Sequence, residues 1–494
     1  MKGFGEKNQT KREKNSKNQQ KLNIDQFIKK AFELQAKGKK LEAAKCYAYL
    51  IKKGIKDYRV FSNYGAFLNE IGKYREAELE LQKAISLNPE YANAYYNLAV
   101  LSIGQGNFEK AEFELKKAIK LKSDFGIAYY NLGFILKHLG RLKEADNFNL
   151  KALEVDPQLT DAYFELSTMK GNDTHQKWHV QLFSESLSKN KNNRELVNIF
   201  FSRSNILHKE KNYEESARYL KLANDLKLNL KPSKPEVIFN KSKLLLNESN
   251  KIEINQEKYS NPPESIFIVG MFRSGSTLLE SILSMRSDVY DLGESDFLEQ
   301  SFFESKKSKQ EINLTKLYWK KLNNKTKLNI TTNKNLFNYQ FTGIIAKKIP
   351  NAKIIHCFRN PLDNILSIYR AHFSGGNEYS SSLIDSAKLY LDQEELMTMY
   401  KNKFRSKIYD LNYDSLVSNP NQEIKSLISW LGWDWEDKFL SPHLNARSVT
   451  TASNVQVRSP INTKSLGGWK NYKEMLRPAM AILSQNDKYK DLKY

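Results

Sequence analysis

A period of 34 residues constrains this chain more than any other feature. Gly38, Gly72, Gly106 and Gly140 are spaced by it, and so are Ala43, Ala77, Ala111 and Ala145. Gly65, Ala99 and Gly133 form a third series, and Ala84, Ala118 and Ala152 a fourth. Several independent series on one period mean a repeated structural unit. A unit this short cannot bury its apolar face alone and must stack on its neighbours. In "YYNLAVLSIGQGNFEKAEFELKKAIKL" the small residues Ala99 and Ala111 fall where paired helices approach closely, and Gly106 permits the turn between them. The pattern returns out of phase in "FSRSNILHKEKNYEESARYLKLANDL", with Lys211, Ser216 and Ala223 in the places of Gly, Ala and Ala.

This pattern resembles the tetratricopeptide repeat, a pair of antiparallel helices with the same period. The repeats are expected over 25–168, followed by a degenerate repeat and helical linker over 169–263. Such stacks commonly hold a peptide or partner protein in a concave face. A spacer or dimerisation role is the alternative, and nothing in the repeats carries catalytic chemistry.

A chain of 494 residues exceeds what one core organises, so two or more domains are expected. Its formal charge of +22 favours anionic partners. Because much of the excess is lysine scattered over helix faces, no nucleic-acid partner is expected. Residues 1–24 read as a disordered basic tail. Cys46 and Cys357 share no disulfide or metal spacing. No apolar run approaches the roughly 18 residues of a membrane span, and a cytoplasmic protein is expected.

After the prolines at 262 and 263 the texture changes. Short β-branched runs, "IFIVG", "KIIHCF" and "SKIYDLNY", alternate with longer helical stretches, which implies an α/β domain with a mainly parallel central sheet over 264–494. In "SIFIVGMFRSGSTLLESILS" a strand runs into a tight loop and a helix. The loop nearly matches G-x-x-x-x-G-K-[ST], but Ser276 occupies the lysine position. Backbone N–H groups at such a helix start form an anion site, to which Arg273 adds a forked cation and Ser274, Ser276 and Thr277 add hydroxyls around Gly275. Without the lysine, nucleotide triphosphate hydrolysis or a kinase activity becomes improbable.

The loop resembles the 5′-phosphosulfate loop of sulfotransferases, which holds the donor 3′-phosphoadenosine 5′-phosphosulfate. "NAKIIHCFRNPLDNILSIYR" is similar to that family's 3′-phosphate segment, placing Arg359 at a strand end and Ser367 on the following helix. The resemblance is nearest to tyrosylprotein sulfotransferases and to bacterial proteins that join tetratricopeptide repeats to such a domain. It implies Lys334 in "ITTNKNLFNYQ" as the catalytic lysine and Tyr413 as a donor contact. It also implies a closing segment in "NVQVRSPINTKSLGGWKNY". Asn335 and Leu336 depart from the family's acidic residue and proline. Gly467 occupies the place of its donor-pocket serine, with Ser465 a substitute two residues earlier.

The implied reaction is sulfuryl transfer from this donor to an acceptor hydroxyl. Glu294 is the expected base, a partly desolvated carboxylate; Lys334 and Arg273 stabilise charge on the leaving side, and no metal is expected. Asp291 and Asp296 are the alternative carboxylates and His372 a reserve, while His356 in its strand suits a core role. The acceptor would be a protein or glycan, recruited by the repeats. The alternative is a catalytically degenerate repeat protein that binds a nucleotide.

Overall fold

The computed structural model describes residues 24–169, 177–307, 313–373 and 375–491. Two compact units divide it, Met1–Ala162 and Tyr163–Tyr494. The expected tail at 1–24 lies outside the described residues except for Ile24.

In the first unit a helix over 24–36 precedes Lys40–Lys52, Tyr58–Glu70, Tyr74–Leu87, Ala92–Gly104, Phe108–Leu121, Gly126–His138 and Leu142–Val155, paired antiparallel as the period requires. Gly38, Gly72, Gly106 and Gly140 take φ between 74° and 81°, and at the first three there is open space where a side chain would stand. They are therefore required by the backbone and not by crowding. Packing explains the other small positions. Ala77, Ala111 and Ala145 are fully buried, and a Cβ on Gly65 would come within 2.7 Å of Leu81.

The second unit is built on five parallel strands: β1 Glu264–Gly270, β2 Val289–Asp291, β3 Ile330–Asn333, β4 Ala352–Phe358 and β5 Ile408–Asn412, in spatial order β2-β3-β1-β4-β5. Alternate side chains of β1 point to opposite faces. Ile266 and Ile268 pack with Leu279 and Leu427 on one face, while Phe267 and Val269 pack with Ile344 and Met397 on the other. Burial on both faces accounts for the unbroken apolar run of this strand.

The degenerate repeat forms the helices Asn193–Lys209 and Tyr213–Leu230. Lys211 adopts φ 63° in their turn, the conformation of the glycines it replaces, and Ser216 and Ala223 are fully buried at the alanine positions. These helices belong to the second unit. Val197, Phe201, Leu220 and Ala223 share a core with Leu362, Ile365 and Leu366 of the helix Pro361–Tyr369 and with Leu476 and Met480 of Lys473–Leu483. The unit boundary thus falls before this repeat. Among the described residues no helix is long and apolar enough to cross a membrane.

Candidate functional site

Parallel strands place all their carboxyl ends on one edge, where ligands of such sheets bind. β1 ends in Gly270, whose Cβ would lie 2.2 Å from the Cys357 carbonyl oxygen of β4. The loop then turns through Arg273 at φ 66° and Gly275 at φ 93° and enters the helix Ser276–Leu283. That helix has no side-chain cap, so the first-turn N–H groups face the loop. Ser274 is buried and its hydroxyl has no partner among the described residues, an orphaned donor inside the loop. Ser276 and Thr277 are also buried, and Thr277 Oγ1 lies 3.1 Å from Thr451 Oγ1.

Arg273 connects three segments. Its Nε donates to Ser367 Oγ at 3.0 Å, one Nη donates to Ser453 and the other to Gln456 Oε1 at 2.9 Å. Burial first, then the neighbouring Arg359 and Arg370 charges, pull its guanidinium down to about 10, which leaves it cationic at neutral pH. Arg359 begins at the end of β4 and is buried over the Tyr413 ring, 4.7 Å from its centroid. It donates to the Ser465 carbonyl at 2.8 Å, and its Nε has no hydrogen-bond partner among the described residues. Asp363 and Asp414 approach it only to 3.9 Å.

Tyr413 Oη and Ser465 Oγ lie 2.9 Å apart. Of the two positions considered for a donor-pocket hydroxyl, Ser465 is the one beside Tyr413 and Arg359. Gly467 instead donates its backbone N–H to Asp363 at 2.7 Å, and Trp469 donates to the other Asp363 oxygen at 3.0 Å. Asp363 therefore ties the closing segment to the helix that carries Ser367. Gly275 fits under Tyr413 so closely that a Cβ would stand 2.2 Å from its ring.

The acid–base candidates lie at the ends of β2 and β3. Lys334 is 1% exposed, and its Nζ donates to Glu294 Oε1 at 2.9 Å; its backbone N–H donates to the Gly293 carbonyl at 2.8 Å. The expected partly desolvated carboxylate is in fact 47% exposed. The buried partner is the lysine, because Glu294 stands on the loop beyond β2 while Lys334 extends from an interior strand. Asp291 is engaged by Arg447, which also holds buried Glu280 at 3.1 Å. Burial pulls Arg447 down, but the two carboxylates outweigh it and raise its pKa. Asp296 is exposed.

His372 stacks on Phe201 at 4.8 Å and pairs with Asn198 at 3.0 Å; burial lowers it to about 4. His356 lies between Asp410 and Gln393 in the core. Leu336 packs under the sheet.

Two arginines escaped the sequence reading. Arg447 had no signal, since its partners lie more than 150 residues away. Arg370 had one: it follows Ser367 by three residues, on the same helical face.

Residues 263–328 and 310–437 match the sulfotransferase family, and 70–124 and 127–159 match tetratricopeptide repeats. The second unit carries a sulfotransferase-family domain. The repeats occupy the first unit, ahead of that domain. An uncharacterized protein of Aquifex aeolicus (strain VF5) is 30% identical in a 247-residue alignment that covers 45% of this chain and 32% of that protein, so the match spans about a third of the relative's length. Among solved structures, the sulfotransferase domain from the curacin biosynthetic pathway is 18% identical with a TM-score of 0.34, covering 46% of this chain and 98% of that one. The sulfotransferase domain from the Synechococcus PCC 7002 olefin synthase is 17% identical with a TM-score of 0.33, covering 47% and 98%. YrrB, described as a TPR protein with an unusual peptide-binding site, is 20% identical with a TM-score of 0.29, covering 37% and 93%.

Proposed function

We propose that the sulfotransferase-family domain transfers a sulfuryl group from 3′-phosphoadenosine 5′-phosphosulfate to an acceptor hydroxyl. The observation that supports this is the 3.0 Å bond between Arg273 and Ser367, which brings the loop after β1 and the helix after β4, 94 residues apart in sequence, together. A nucleotide with phosphate groups at both ends of its ribose needs two such cationic sites in contact. The orphaned donors at Ser274 and Arg359 suit the oxyanions of this nucleotide.

In the proposed reaction Glu294 takes the acceptor proton as the acceptor oxygen bonds to sulfur. The bond from sulfur to the bridging phosphate oxygen breaks, and the electron pair leaves with 3′-phosphoadenosine 5′-phosphate. Lys334 and Arg273 stabilise that developing charge, with the loop N–H groups holding the phosphate. Arg359 and Ser367 hold the 3′-phosphate, with Tyr413 and Ser465 beside Arg359. The repeat array recruits the acceptor, a protein or glycan, or a partner protein.

The test is calorimetry without Mg²⁺. 3′-Phosphoadenosine 5′-phosphate is expected to bind about thirtyfold more tightly than AMP, the equivalent of ~2 kcal/mol for one charge-assisted contact. Equal affinities would overturn the proposal.

A further inference from the structure

Arg370 caps the carboxyl end of the helix Pro361–Tyr369, three residues beyond Ser367. No carboxylate among the described residues pairs with it. Its Nη1 lies 3.0 Å from His208 Nε2, its Nε is buried without a partner, and its guanidinium stands 5.8 Å from the Tyr472 ring centroid. His208 comes from the degenerate repeat. Its other nitrogen, Nδ1, lies 2.8 Å from Tyr472 Oη, which lies 2.9 Å from Ser216 Oγ. Ser216 Oγ donates in turn to the Ser204 carbonyl at 2.9 Å.

The directions of these bonds follow from the chemistry of their ends. A guanidinium only donates, so His208 Nε2 accepts and Nδ1 carries the hydrogen. Nδ1 then donates to Tyr472, Tyr472 to Ser216, and Ser216 to a carbonyl, with no two donors opposed. His208 stays neutral, since burial, Arg370 and Lys209 together depress it to about 3. A neutral imidazole fixes the guanidinium without cancelling its charge. A carboxylate in the same place would compete with any anionic ligand.

Arg370 lies one helical turn beyond Ser367, whose hydroxyl accepts from Arg273, so it adds positive charge beside Arg273, where its influence is the least after burial, Arg359 and Tyr413. Such an excess of positive charge in a partly dry pocket calls for an anion. We infer that the degenerate repeat supplies part of the donor pocket: His208 is a positioning residue that aims Arg370 at a phosphate-class oxyanion of the nucleotide. This rests on the nucleotide-binding part of the proposed function. It assigns the helices Asn193–Leu230 a task that repeat helices recruiting an acceptor do not have.

The experiment is a double-mutant cycle on the full chain, titrated with 3′-phosphoadenosine 5′-phosphate and with AMP, each variant checked by thermal melting. Arg370→Gln and His208→Phe are each expected to weaken the bisphosphate about tenfold, and the double variant no further, because one acts through the other. His208→Gln, whose amide oxygen accepts from Arg370, is expected to retain most of the affinity. A loss confined to the bisphosphate assigns the 3′-phosphate to Arg370; an equal loss on AMP assigns the 5′-phosphate. Losses that multiply to about a hundredfold in the double variant, or unchanged affinity in folded His208→Phe, would overturn the inference. Where His208→Phe does not fold, Tyr472→Phe makes the same test: about threefold weakening is expected, and unchanged affinity counts against it. Failure of the wild-type chain to bind the bisphosphate is a different result, which removes the proposed function itself.

Discussion

Lys334 Nζ stands 2.9 Å from Glu294 Oε1, a fully buried ammonium against a half-exposed carboxylate. The pair links the segments that follow the neighbouring strands β2 and β3, and its acidic member is the one that meets solvent. In the proposed reaction an acceptor arriving from outside encounters Glu294 first, with the lysine behind it on the donor's side.

That order separates the two residues experimentally. Glu294→Gln is expected to lower single-turnover sulfuryl transfer by roughly two to four orders of magnitude, the range of general base catalysis, with donor-product affinity nearly unchanged. Lys334→Ala is expected to weaken both, since the bound nucleotide is already anionic there. Asp296→Asn is expected to be silent. Full activity in Glu294→Gln would remove this carboxylate from the base role.

Gly275 is held against Tyr413 with no room for a side chain and with φ 93°. Gly275→Ala is expected to push the ring away from Ser465 and to weaken nucleotide binding at least tenfold. The strained backbone would cost about 1–3 kcal/mol of stability, read from denaturant melts. Wild-type binding in the alanine variant would show that Tyr413 does not form the wall of the pocket.

Asn149 is fully buried opposite Gly133, and neither of its side-chain polar atoms has a hydrogen-bond partner among the described residues. The equivalent positions one and two repeats earlier are Leu115 and Leu81, both fully buried, and Leu81 fits against Gly65. Asn149→Leu removes an unsatisfied amide and restores the repeat's own packing. The first unit is expected to gain about 1–3 kcal/mol, seen as a raised melting temperature.

Glu114 lies buried in the same unit, accepting from Ser102 at 2.8 Å. Burial pushes its carboxyl up to about 6, against the opposing pull of the Ser102 hydroxyl and Lys110. The folded form therefore binds this proton more tightly than the unfolded form, and this group's contribution to stability declines as pH rises from the ordinary carboxylate range through about 6. Glu114→Gln is expected to melt higher than wild type at pH 7.5, with the difference shrinking toward pH 4.5. A pH-independent difference would mean that the charge of Glu114 is already compensated.

The sequence made some of these features legible and hid others for a physical reason. The turn glycines, the loop around Arg273 and the strand ends before Lys334 and Arg359 are local, so period and residue type reveal them. Even Lys211 announced its place, because the turn it occupies is repeated elsewhere in the chain. What stayed hidden depends on distant packing: Arg447 between Glu280 and Asp291, Arg370 against His208, and the exposure of Glu294. No spacing rule specifies which helix will cover which strand.

The helices Asn193–Lys209 and Tyr213–Leu230 also have a consequence in time. Their apolar faces are covered by residues made much later: Asn224 meets Tyr369 across 145 residues, and Ser216 meets Tyr472 across 256. At about 5–20 residues per second, a ribosome needs on the order of ten to fifty seconds to supply the second of these. Until Leu362, Ile365 and Leu476 have been made, Phe201 and Leu220 lack part of their final cover, so the nascent chain carries a partly exposed helical hairpin behind a repeat stack whose own residues are already complete.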